Sequence, residues 1–138
     1  MICHAHPSIN AFLQALSIDL SFNDPADRGN ISGPGVASVI EAAASCGVKS
    51  FSMNLYGNTD VASSITVMGQ KFRSFKGLQS LQLQLYVINP VDRNAGDAFA
   101  SDLGAGIADM RDTLSFVSLD LSCNEVSDAG VLALGAGE

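Results

Sequence analysis

The stretch LSFVSLDLSCNEVSDAGV, Leu114–Val131, decides how the chain is read. From Val117 to Leu121 apolar residues alternate with Ser118 and Asp120, the period of a strand that is buried on one face and wet on the other. Asn124 marks a turn, and Asp128-Ala129-Gly130 opens a helix. Three weaker copies lie upstream: LQALSIDLSFN from Leu13, VKSFSMNLYGN from Val48 and LQSLQLQLYVI from Leu78. All four place apolar residues at their first, fourth, sixth and eighth positions. Three end in asparagine (Asn23, Asn58, Asn124), and the third has Ile88 instead. The starts are 35, 30 and 36 residues apart, a spacing that signals stacked repeats.

Long and short units alternate. The first and third carry similar insertions after the strand, DPADR (Asp24–Arg28) and NPVDR (Asn89–Arg93), whose prolines favour bent loops. Helices fill the remainder of each unit. Val36, Val39, Ile40, Ala43 and Ala44 share one helical face, with Pro34 in the first turn and Gly47 as the stop. Ile65, Met68, Phe72 and Phe75 repeat the stripe up to Gly77. Phe99, Leu103, Ile107 and Met110 do so again, with Asp97 expected as that helix's cap. Lys71, Arg73 and Lys76 gather where positive charge suits a helix C-terminus.

Composition sets bounds. The chain has 138 residues, 47% of them hydrophobic and 15% charged, which predicts one globular domain over 1–138. A net charge of -7 argues against nucleic acid and anionic membranes as partners, because phosphate binding needs clustered Lys and Arg. No apolar run approaches the roughly 18 residues of a membrane helix, and MICHAHPSINAF lacks the look of a secretory leader. Cys3, Cys46 and Cys123 are odd in number and widely spaced, so reduced, packed thiols and an intracellular location are expected. Both ends read as interrupted repeats without polar caps, as in part of a longer array.

A doubly wound nucleotide-binding sheet needs strands that are apolar on both faces. These strands are not: Ser17 and Asp19, Gln82 and Gln84, and Ser118 and Asp120 sit between the leucines. A parallel sheet with helices on one face only must curve. The expectation is therefore an α/β solenoid, a horseshoe with parallel strands on the concave face and helices on the convex face.

The segment FVSLDLSCNEVSDAGVLAL, Phe116–Leu134, resembles the leucine-rich repeat pattern L-x-x-L-x-L-x-x-N-x-hydrophobic followed by D-x-G. From Leu13 onward the chain is similar to the ribonuclease-inhibitor-like class of leucine-rich repeat proteins. The uneven period, the two insertions and Ile88 depart from that class. Similar irregular repeats occur in protist proteins and in bacterial effectors. The repeat asparagines are expected to be structural, donating to and accepting from neighbouring coils.

Function is then expected on the wet face. Its columns are Ser17, Ser52, Gln82, Ser118; then Asp19, Asn54, Gln84, Asp120; then Ser21, Tyr56, Tyr86, Ser122, with Phe22, Gly57, Val87 and Cys123 at the edge. Strands about 4.8 Å apart would set Tyr56 beside Tyr86 as binding anchors. The expected role is a non-catalytic protein-binding module that uses Asp19, Asn54, Tyr56, Gln84, Tyr86 and Asp120, favouring a basic partner. No cofactor or metal is expected, since Cys3, His4 and His6 are too tightly spaced for the usual zinc sites. The resemblance leaves two alternatives open: the substrate-recognition arm of a larger enzyme such as a ubiquitin-ligase-type effector, and a GTPase-activating protein.

Overall fold

The computed structural model describes residues 13–22, 31–58, 65–85 and 93–136. Strands and helices alternate: β1 (Ala15–Asp19), α1 (Gly33–Cys46), β2 (Ser50–Asn54), α2 (Ile65–Phe72), β3 (Ser80–Gln84), α3 (Arg93–Asp109), β4 (Phe116–Asp120) and α4 (Asp128–Gly135). The four strands form one parallel sheet in the order β1-β2-β3-β4. The fold is α/β. Asp24–Arg28 and Asn89–Asp92 of the two insertions, together with Cys3, His4, His6, Asn23, Tyr86 and Ile88, lie outside the described residues; Arg93 opens α3.

The strand register is the one that the sequence repeat sets. Leu16, Phe51, Leu81 and Val117 are partners across the sheet, as are Asp19, Asn54, Gln84 and Asp120. Just ahead of each strand the same backbone pattern recurs at every junction. The Gln14 carbonyl accepts from the N–H groups of Lys49 and Ser50, that of Lys49 from Gln79 and Ser80, and that of Gln79 from Ser115 and Phe116. Past the strands the ladder continues, with Leu20 N–H on Asn54, Leu55 on Gln84 and Leu85 on Asp120. Consecutive units thus stack through backbone groups that would otherwise be left unpaired.

Alternation fixes which face is covered. Phe51, Met53, Leu55, Leu81, Leu83 and Leu85 are fully buried, and they share one core with Val36 and Ile40 of α1, Ile65, Met68 and Phe72 of α2, and Phe99 and Leu103 of α3. The helices pack in chain order, α1 on α2, α2 on α3 and α3 on α4. In the outer strands the equivalent leucines, Leu16 and Leu119, are only partly buried. At the centre Phe51, Phe72, Phe75 and Phe99 form an aromatic cluster, with Phe72 touching the other three at centroid distances of 6.2 to 6.5 Å.

Helix ends follow local chemistry. The Ser32 hydroxyl accepts from Gly35 N–H at the start of α1, and Gly47, at φ +66°, closes it in the left-handed conformation that glycine adopts without penalty. α2 is shorter than its apolar stripe: it ends at Phe72, and Phe75 is buried from the following turn. Met110 likewise lies just past α3.

Asp97, expected from sequence to cap α3, does not do so. α3 begins four residues earlier, at Arg93, so Asp97 lies within it. Its carboxylate instead accepts from Ser127 N–H (2.8 Å) and Ser127 hydroxyl (2.6 Å), and Ser127 in turn accepts from Ala129 N–H as the N-cap of α4. One unit's acid therefore anchors the next unit's helix, where the dipole favours negative charge.

The Ser127 hydroxyl and N–H hold the Asp97 carboxyl below its ordinary pKa. A folded value below the unfolded one, near 3.9, adds stability that is complete above about pH 4 and is lost as pH falls through the folded value. Asp97→Asn is expected to lower Tm at neutral pH and to make the acid decline of Tm shallower, as read by thermal melts down to about pH 2. An acid limb identical to wild type would contradict this role.

Two residues of the basic cluster at the end of α2 face acids of neighbouring helices. Lys71 pairs with Glu41 of α1 at 2.9 Å, and Arg73 lies 3.9 Å from Asp102 of α3. Both pairs are partly exposed, so their contribution is small.

Candidate functional site

The uncovered face of the sheet holds the residues singled out from sequence. Ser52, Asn54, Gln82 and Ser118 are partly exposed, and Ser17, Asp19, Gln84 and Asp120 are exposed. Among the described residues this face carries two carboxylates and no lysine or arginine.

The column Asp19, Asn54, Asp120 has a structural task that the spacing alone does not reveal. In the turns that follow β1, β2 and β4 the side-chain oxygen accepts from the N–H two residues on: Asp19 from Ser21 (2.9 Å), Asn54 from Tyr56 (3.0 Å) and Asp120 from Ser122 (3.1 Å). Such Asx turns bend the chain out of the sheet. Gln84 occupies the third place in this column, between Asn54 and Asp120, and, one methylene longer, is exposed. Ser21 hydroxyl and N–H lower the Asp19 pKa, and Ser122 hydroxyl and N–H lower that of Asp120. Both acids are held as anions on the open face.

Beneath the turns that follow β2 and β4 sits an asparagine. Asn58 and Asn124 are 2% exposed. The Asn58 amide donates to the Leu20 carbonyl of the preceding unit (2.8 Å) and to its own Leu55 carbonyl (2.9 Å), and Asn124 donates to Leu85 of the preceding unit. Their role as inter-coil donors is the expected one; the Asn58 carbonyl oxygen has no hydrogen-bond partner among the described residues.

The residue between each turn's second position and its asparagine adopts a left-handed backbone: Phe22 at φ +56°, Gly57 at +75° and Cys123 at +61°. Glycine fits there freely, whereas a residue with a Cβ loses roughly 1–2 kcal/mol. The same geometry turns the Cys123 side chain outward, so this thiol is exposed and not packed as expected; Cys46 is the buried one.

Tyr56, expected to stand beside Tyr86, packs against Phe22 of the preceding unit at 4.8 Å between ring centroids, tilted by 56°. The pair is open to solvent, Phe22 at 72% and Tyr56 at 37%. Tyr86 falls outside the described residues. Phe22, placed from sequence only at the edge of the face, is the most exposed aromatic ring among the described residues.

The apolar cleft between β1 and α1, about 180 Å³ and lined by residues such as Leu16, Val39 and Cys46, offers little polar chemistry. Among the described residues no group of three His, Cys, Asp or Glu side chains is placed to hold a metal ion, and no helix is long and apolar enough to cross a membrane. No family model matches the chain, and neither a curated protein nor a solved structure matches it.

Proposed function

We propose that the chain is a leucine-rich-repeat-type solenoid, a horseshoe with the sheet on its concave side, and that it works as a protein-binding module through that side. The observation that carries this reading is the uncovered polar face of the sheet: a rigid array of exposed Ser, Asp, Asn and Gln side chains backed by a fully buried apolar face. Backbone ladders fix the spacing between columns, so a partner would meet preorganised hydrogen-bonding groups and lose little entropy in ordering them. The exposed aromatic pair supplies the apolar anchor that most interfaces place among polar contacts. The resemblance of Phe116–Leu134 to the leucine-rich repeat pattern points the same way.

A photo-crosslinking amino acid introduced in place of Gln84 on the sheet face, and separately in place of the exposed Gln70 on α2, tests it. In lysate from the source cells, the Gln84 position is expected to trap a discrete protein partner that the Gln70 position does not.

A further inference from the structure

We infer that the exposed Phe22–Tyr56 pair is an arginine-binding anchor, and that the partner's contacting segment is basic; this rests on the reading of the sheet face as the binding surface. The turn geometry imposes a left-handed backbone at position 22, as it does at Gly57 and Cys123. Only the residue type is free to vary there. Folding favours glycine or asparagine at such a position, yet the chain places a phenylalanine whose ring is 72% exposed. Burial of that ring therefore does not explain its presence. An exposed outlier of this kind points to function.

What the ring faces defines the ligand. Phe22 leans over Gly57, where a Cβ would lie 3.3 Å from its Cδ1, and it packs on Tyr56. The neighbouring column adds the Asp19 carboxylate, held ionised by the Ser21 hydroxyl and N–H, and its register partner Asn54. No lysine or arginine stands on this face among the described residues, and the whole chain carries -7. A planar cation can stack on the exposed ring face and reach for the Asp19 carboxylate, three residues before Phe22, which guanidinium does better than the strongly hydrated ammonium of lysine.

The test uses the full chain and fluorescent peptides of alternating arginine and serine, with lysine and glutamate versions of the same length. The arginine peptide is expected to bind saturably, more tightly than the lysine peptide, with affinity falling as salt rises; the glutamate peptide is expected not to bind. Phe22→Asn and Tyr56→Ala are each expected to weaken the arginine peptide about tenfold. Asparagine tolerates the left-handed backbone, so Phe22→Asn is also expected to melt no lower than wild type. Loss of binding without loss of stability is the signature of an anchor. Equal affinity for the variants, no preference for arginine, or a lower Tm for Phe22→Asn would overturn the inference. If Gln84 still captures a partner while the arginine peptide fails to bind, only the identity of the ligand falls; if neither occurs, the reading of the face falls with it.

Discussion

Phe72→Ala is expected to destabilise the chain by about 3–5 kcal/mol, the usual cost of emptying a phenylalanine-sized space in a core. Phe72 has no exposed surface and touches Phe51 of β2, Phe75 of the following turn and Phe99 of α3. Those groups belong to three different segments of the stack, so relaxation of any one cannot fill the space left by the others. Against the 5–15 kcal/mol typical of whole domains, the loss is a large fraction. Chemical denaturation reads it as a fall in midpoint. Leu132→Ala is the matched control: at 73% exposure it should change stability by no more than about 0.5 kcal/mol. Similar losses for both variants would show that the core is not where the burial pattern places it.

Gly104→Val is expected to be the second large effect, for the opposite reason. A Cβ at Gly104 would lie 2.8 Å from the Ala133 carbonyl oxygen and 2.8 Å from the Leu134 Cα. Those are backbone atoms of α4, which cannot rotate away as a side chain could. Either α3 shifts or α4 lifts off. Overpacking of this kind costs about 1–3 kcal/mol. Because α4 rests on α3, the damage should be concentrated there, and hydrogen exchange should show α4 amides losing protection ahead of those in β2 and β3. Gly135→Ala, where a Cβ meets nothing within 4 Å, is expected to be neutral or slightly stabilising. Wild-type protection of α4 in Gly104→Val would contradict the close helix approach.

Much of the fold was legible because its cause is periodic. Alternation at Leu81–Leu85 and Val117–Leu121 reports one buried face, and aligning the four copies gives the strand register without further information. The buried asparagines were legible for the same reason: a polar residue that recurs at a fixed place after an apolar strand is answering a recurring need of the backbone. Helix ends were less so. Asp97 looked like a cap by its position ahead of an apolar stripe, but its partner, Ser127, lies thirty residues away, and no local rule reaches that far. Phe75 continued the helical period of Ile65, Met68 and Phe72 although the helix had stopped, because burial selects the apolar residue whatever the backbone does.

The candidate site divides along the same line. The columns of the polar face were readable from alternation, but the task of Asp19, Asn54 and Asp120 in bending the chain depends on a contact with the N–H two residues on. An Asp or Asn at the last strand position followed by a Ser or Tyr two residues later is the signal that could have shown it. The Phe22–Tyr56 contact joins two units through a left-handed turn, and the sign of φ at a non-glycine residue is not written in the apolar pattern.

The central claim is that the polar face of the sheet is the working surface, and crosslinking from Gln84 against crosslinking from Gln70 tests it most directly. Capture of one discrete protein from Gln84, absent from Gln70 and lost in the Phe22→Asn, Tyr56→Ala double variant while the fold is retained, is the expected result. Capture from Gln70 with none from Gln84 would put the working surface on the helices and contradict the claim.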